Sequence, residues 1–269
     1  MNELGLAMGR DAYTHAVERD TEREFTLLGR EWTQLGGVLG GEYNHATGLF
    51  ASWLPCDGVR TMLEMGCGCG VASVTAALAG VERVTALDIN PAAVRTTELN
   101  ARRHGVAHRV RALTSDLFGA LENQENQANE ENEENGANQE NQETAGPAGS
   151  FDLIFWNSPF IETAPGTPHE SDLAYHFFDP GYGMHRRFLT GAARRLAPGG
   201  RLFLGFSYAM GNGDRLREVA GEAGFTPRVH AQESFSVPAA ELGTAPVFAA
   251  HADAEEKVRI DFTLLELVR

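Results

Sequence analysis

The stretch Phe151–Asn157 (FDLIFWN) constrains the fold more than any other part of the chain. It is an apolar run bounded by turn residues, without the alternation of a half-exposed strand. Such a run is the signature of a parallel strand buried on both faces, which requires helices above and below the sheet. The surrounding sequence supplies them in turn. Strands are expected at Thr61–Met65, Arg83–Asp88, Val110–Thr114 and Arg201–Phe206. Helices are expected at Val71–Leu78, from Pro91 to about His104, at Met184–Leu196 and at Asp214–Ala223. Pro91 suits a first helical turn, where its missing N–H costs no bond. Two terminal strands, Thr226–Val237 and Arg259–Val268, lack a clear intervening helix and read as an antiparallel edge. The expected class is α/β, a mostly parallel sheet covered on both faces.

Ahead of Pro55 the pattern reads as helical, with Tyr13, Val17, Phe25, Leu28, Trp32 and Leu35 at spacings that fit one apolar face. Glycines at 36, 37, 40 and 41 break it, and Leu49, Phe50, Trp53 and Leu54 follow a possible cap at Thr47. The chain is therefore divided into a helical N-terminal extension, residues 1–58, and a main domain, residues 59–269. Residues 122–143 hold eight glutamates and no basic residue. With no Val, Leu, Ile or aromatic residue from Glu122 to Ser150, the stretch at about 121–150 reads as a disordered insertion in the main domain.

That tract supplies eight negative charges of the net −15, so the rest of the chain carries −7. An acidic body argues against a broad phosphate-binding face, because nucleic-acid affinity rests on Lys and Arg. No apolar run approaches the roughly 18–20 residues of a membrane span, and the N-terminus lacks the pattern of a secretory signal. Three cysteines cannot build a disulfide framework, so a reducing, cytoplasmic setting is expected. Cys67 and Cys69 lack a second pair for zinc and read as small packed residues, so no metal is expected.

The motifs lie at expected strand ends. EMGCGCG (Glu64–Gly70) falls where a strand turns into a helix, where glycines admit close approach to a ligand and free amides point outward. Its glycines stand at 66, 68 and 70, whereas a dinucleotide fingerprint needs the third at 71, which is Val. Glu64 would repel a pyrophosphate but welcome an amine. Asp88 ends the next strand, where a carboxylate can accept both hydroxyls of a ribose. Asp116 follows the third, placed for the amine of an adenine. An amine, a ribose and an adenine without phosphate describe S-adenosyl-L-methionine. A nicotinamide dehydrogenase is the rival, disfavoured by Val71 and Glu64.

EMGCGCG, LDIN and SDLF, in this order, resemble the first motifs of the class I S-adenosylmethionine-dependent methyltransferases, over roughly residues 40–269. The resemblance implies a Rossmann-like fold, a seven-stranded, mostly parallel sheet with an antiparallel C-terminal hairpin. It implies a cofactor site of Glu64, Gly66, Gly68, Asp88, Asn90, Asp116 and Leu117, the last through its backbone, with Thr47 and Asn157 alongside. NSPF (Asn157–Phe160) resembles the Asn-Pro-Pro-Phe/Tyr motif of small-domain amino-methyltransferases. Asn157, Pro159 and Phe160 match it, and Ser158 replaces its first proline. Methyl transfer is an in-line displacement that mainly needs a positioned nitrogen. The Asn157 side-chain oxygen and the Ser158 carbonyl can each accept one N–H, and Phe160 can stack on a planar amide or ring. No histidine or lysine is seen to adjoin this motif, so nitrogen is the expected acceptor and Ser158→Pro is expected to be tolerated.

His45, His169, His176 and His185 are candidates for substrate contacts, and Tyr175, Phe177, Phe178 and Tyr182 for an aromatic wall. The expected substrate is a small molecule or a protein side chain, without membrane involvement. An RNA base is the alternative, and a non-catalytic cofactor-binding protein the alternative of another class.

Overall fold

A computed structural model describes residues 1–18, 21–39, 45–134 (backbone alone for 128–134) and 149–269. Five strands form the parallel body of the sheet: β3 (Thr61–Met65), β4 (Arg83–Asp88), β5 (Val110–Thr114), β6 (Phe151–Asn157) and β9 (Leu196–Phe206). Two antiparallel strands, β10 (Thr226–Pro238) and β11 (Lys257–Val268), complete it. The order is β10-β11-β9-β6-β3-β4-β5, the expected seven-stranded sheet with a terminal hairpin. The expected buried strand takes its central place. Leu153 and Phe155 of β6 pack on one face, Ile154 and Trp156 on the other, and all four are buried.

Helices α3 (Val71–Leu78) and α4 (Pro91–Arg103) cross over between the parallel strands on the first face. Helices α6 (Gly183–Arg195) and α7 (Gly213–Glu222) cover the second. Asn90 caps α4 by accepting the Ala92 N–H at 2.9 Å, and Pro91 takes the first helical position. The chain order runs β3, β4, β5 outward and then returns to β6 on the other side of β3. Strand order therefore reverses between β3 and β6, the position where α/β sheets open a ligand crevice beyond their carboxyl ends.

Ahead of the sheet, the single apolar helical face expected through residues 13–35 is not formed. Helix α1 (Glu3–Glu18) is followed by a hairpin, β1 (Arg23–Leu27) with β2 (Arg30–Gln34), then by α2 (His45–Trp53). Phe25 pairs with Trp32 across the hairpin, and Trp32 is fully buried. A positive-φ turn at Leu28 and Gly29 closes it. Alternating Phe25/Leu27 and Trp32/Gln34 fit a period of two as well as a helix over so short a run. Asn100 of α4 pins the hairpin, exchanging hydrogen bonds of 2.9 and 2.8 Å with the Thr33 backbone. The buried face of α1 is Leu4, Gly5, Gly9 and Ala16, not Tyr13 and Val17. A Cβ on Gly5 would sit 1.9 Å from the Met210 carbonyl oxygen, so glycine is what lets α1 lie against that chain.

The expected disordered insertion is partly corrected. Residues 135–148 lie outside the described residues, but the stretch before them belongs to helix α5 (Gly119–Glu134). Buried Phe118 and Leu121 anchor its start, and both Glu125 carboxylate oxygens meet Arg195 at 2.7 and 3.2 Å. Glu and Gln are fair helix formers once a first turn is nailed down.

Candidate functional site

A cavity of about 260 Å³ opens at the carboxyl ends of β3 and β6. The glycine loop forms one wall with Gly66, Cys67, Gly68 and Cys69, and Glu64 lies at its base. Asn157, Ser158 and Phe160 form another wall, and Thr47 of α2 joins them. The sheet register brings the two motifs together. Met65 pairs with Trp156, so the loop after β3 and the turn after β6 leave the sheet side by side.

The glycine loop is held by its neighbours' backbone demands. Gly68 (φ +52°) donates its N–H to the Asp88 carboxylate at 2.9 Å, and the Asn90 N–H donates to the other oxygen at 2.9 Å. Gly70 (φ +74°) starts α3 with its α-carbon against Thr97, where a Cβ would lie 2.8 Å from that side chain. Glu64 accepts hydrogen bonds from the Ser73 N–H (2.8 Å) and from the Ser73 hydroxyl. Burial pushes the Glu64 carboxyl up to about 8; the Ser73 bonds oppose the rise and the nearby Asp88 charge adds to it. The carboxyl thus sits near its titration point at neutral pH, poised to ionise if a cation enters. Cys67 and Cys69 are buried, and burial raises both thiols, Cys69 to about 12, which leaves them inert as nucleophiles.

Not every expected cofactor residue reaches the cavity. Asp88 is buried and engaged with the loop backbone, and Asn90 is an N-cap whose amide donates to the Gly37 carbonyl at 2.7 Å. Neither lines the cavity. Asp116 is exposed and paired with Arg187 at 2.7 Å, and with Leu117 it borders a separate surface depression beside α6. Leu117 has φ +48°, and its carbonyl accepts the Ser115 hydroxyl at 2.6 Å. A leucine in the left-handed region is uncommon and costs about 1–3 kcal/mol. Pro159 is buried behind the turn.

On the other wall, the Asn157 Nδ2 donates to the Thr47 Oγ1 at 3.3 Å, which turns its Oδ1 away from Thr47. Ser158 departs from the expectation that only its carbonyl matters. Its buried hydroxyl lies 2.9 Å from the Gly205 carbonyl oxygen and 3.0 Å from His185 Nε2. His185 Nδ1 in turn lies 2.6 Å from Asp179 Oδ2. The absence of a histidine beside the motif held only in sequence; in space His185 adjoins it. Ser158→Pro is no longer expected to be tolerated, since it strips both contacts and leaves a buried imidazole nitrogen unpaired, a loss of about 1–3 kcal/mol.

Of the other candidates, His45, His176 and Phe177 line the cavity. His169 stacks on Tyr175 at 3.8 Å and bonds the Phe178 carbonyl outside it. Tyr182 is buried at the start of α6, donating to the Phe160 carbonyl at 2.6 Å and accepting the Asn212 N–H at 2.9 Å. Sequence reasoning missed Asp179 and the α1 residues Met8, Gly9 and Ala12, which line the cavity. Asp179, six positions before His185, caps α6 by accepting the Met184 and His185 N–H groups. An acidic residue ahead of a helix was its one available signal.

The family model for ribosomal protein L11 methyltransferase (PrmA) matches residues 54–132. A ribosomal protein L11 methyltransferase from Alteromonas mediterranea is 41% identical over 68 residues, 24% of this chain and 23% of the relative. A release factor glutamine methyltransferase from Moorella thermoacetica is 30% identical over 167 residues, 59% of this chain and 50% of the relative. The chain thus spans half or less of the length of these two relatives. A solved 16S rRNA N2 G1207 methyltransferase of T. thermophilus, in complex with AdoMet and guanosine, aligns with a TM-score of 0.50 at 21% identity. That alignment covers 92% of this chain and 50% of the other. Over the glycine loop and its flanks the sequence is similar to these methyltransferases, and over most of the chain the fold is similar to that of the solved rRNA methyltransferase.

Proposed function

We propose that the protein transfers a methyl group from S-adenosylmethionine to a nitrogen of a small molecule or a protein side chain. The carrying observation is that Glu64, the glycine loop, Asn157, Ser158 and Phe160 line one cavity. The lining fits the cofactor in part: a buried carboxyl, Glu64, for the amine, glycines that admit close approach, and no Lys or Arg for a pyrophosphate among the lining residues, while Asp88 at the end of β4 shapes the loop rather than facing the cavity. When bound, the cofactor supplies a methyl carbon activated by positive sulfur. This chain's own task is orientation. Asn157, its Nδ2 turned to Thr47, offers Oδ1 to one N–H of the acceptor, and the Ser158 carbonyl takes the other, so that the lone pair faces the methyl. A pure binding protein has no use for that arrangement.

The lining of the cavity supports this acceptor class. Met8, Gly9 and Ala12 of α1, with His176 and Phe177, line it opposite the strand ends. A lining so placed favours a small molecule or one inserted side chain over a base presented by a folded RNA. The acidic chain points the same way, and the free cysteines fit the reducing cytoplasm. No helix of the described residues is long and apolar enough to cross a membrane. The division at residues 58 and 59 fits a main domain beginning at β3, with the preceding segment serving as cover and support. Calorimetry with S-adenosylmethionine and with NADH tests the cofactor, and tight binding of NADH alone would overturn the reading. Label from the methyl group should appear in low-molecular-weight or protein fractions, and labelling of RNA alone would reassign the substrate.

A further inference from the structure

Ser158, His185 and Asp179 form a continuous buried chain that the methyl-positioning role leaves unused. Their residues are 3%, 0% and 0% exposed, and only Ser158 lines the cavity. Asp179 accepts two backbone N–H groups of α6, at 3.0 and 2.9 Å, which marks it as the acceptor end of the chain. The Ser158 hydroxyl has one proton and two neighbours able to accept it: the Gly205 carbonyl and, in one tautomer, His185 Nε2. That tautomer places the imidazole proton on Nδ1, aimed at the Asp179 carboxylate. The hydroxyl then stands between the cavity and a neutral imidazole backed by a carboxylate.

We propose that Ser158, His185 and Asp179 act as a proton relay that receives the proton released when the acceptor nitrogen is methylated. The inference rests on the methyltransferase reading above. In the displacement the nitrogen lone pair forms the N–CH3 bond, while the S–CH3 electron pair stays on sulfur. The nitrogen then carries a positive charge and an excess proton. That proton passes to Ser158 Oγ as the hydroxyl's own proton passes to His185 Nε2. The imidazolium that results is balanced by Asp179, and its proton returns through Ser158 Oγ to water in the cavity once the product has left. A serine in place of the motif's first proline gives the relay its entry, because proline has no group to pass a proton through.

The surroundings isolate the imidazole, so that Ser158 and Asp179 are its side-chain hydrogen-bond partners among the described residues. Trp156 and Tyr182 pack on the imidazole with ring centroids 5.0 and 4.5 Å away and keep water out. The Tyr182 hydroxyl is turned to Phe160 and Asn212, and burial raises its pKa, so it stays protonated. Glu162 of the short strand β7 (Ile161–Thr163) acts on Tyr182, and Arg186 of α6 is paired with Glu222 at the surface. Asp179 is thus the one charged group hydrogen-bonded to His185 among the described residues.

The test uses the full chain, methyl-labelled S-adenosylmethionine and the extract fraction that the protein labels. A relay that needs a neutral acceptor predicts that wild-type kcat falls toward acid pH. His185→Gln keeps a donor for Ser158 but cannot take up a proton. It should lower kcat by about 10²-fold or more, leave cofactor Kd and acceptor KM near wild type, and abolish the acid limb. Ser158→Ala should do the same, and the double variant should be no worse than either single one. Wild-type kcat or an unchanged acid limb in His185→Gln would overturn the relay. Should His185→Gln fail to bind cofactor, Ser158→Ala decides on the same criteria. A wild type that binds no S-adenosylmethionine or transfers no label defeats the methyltransferase reading instead.

Discussion

The glycine loop after β3 and the Asn157–Phe160 turn after β6 face the same cavity, yet contacts of very different span hold them. Glu64 is fixed by Ser73, nine residues on, and Gly68 by Asp88, twenty residues on. The turn is fixed across the chain. Asn157 reaches Thr47 over 110 positions, and Ser158 reaches Gly205 over 47 and His185 over 27. One side of the cavity is therefore built mostly by a single β-α-β unit, the other by elements from the whole chain. Substitutions on the first side should disturb binding and local geometry. Those on the second should disturb turnover while binding persists.

The largest separation is expected for Asn157→Ala. Misplacing the acceptor nitrogen should cut kcat by about 10²-fold or more with cofactor affinity largely spared. A near-normal rate in steady-state assays would erase the distinction between the two sides. Gly70→Ala attacks the first side, because its Cβ must enter the space of Thr97 at φ +74°. A loss of about 1–3 kcal/mol, seen as a lowered Tm, is expected, together with weakened cofactor binding.

Glu64 gives a pH test. Its carboxyl is raised from the usual 4.5 to about 8 in the folded chain, so the native state holds its proton more tightly than the unfolded state. That contribution is complete at low pH and is lost as pH rises from about 4.5 through about 8. The ligand-free wild type should therefore lose more Tm across this window than Glu64→Gln, a difference on the order of a few degrees. Binding of a cationic amine should expel the Glu64 proton, measurable as a buffer-dependent heat in calorimetry, and Glu64→Gln should abolish that release. The smallest effect is expected for Asp116→Ala. Its ion pair with Arg187 is exposed on both sides, so stability should change by less than about 1 kcal/mol. A cofactor affinity equally unmoved would remove Asp116 from the adenine role that its position suggests.

The local features of this chain were legible without its structure. Buried strands, the Pro91 helix start, the glycine turn and the acids after successive strands depend on periodicity and on neighbours within about twenty residues. The hairpin at residues 23–34 was not legible, because short runs of apolar residues fit two periods and Trp32 becomes strand core only against α4. Helix α5 was not legible either, since its glutamates look solvated until α6 presents Arg194 and Arg195 to them. The same holds at the site. The residues of NSPF could be read as a motif, but not the partners that hold them. Strand order placed β6 beside β3, brought α1 over the cavity and set His185 behind Ser158. Those contacts join segments far apart in the chain, and their energy comes from burial that only the assembled sheet provides.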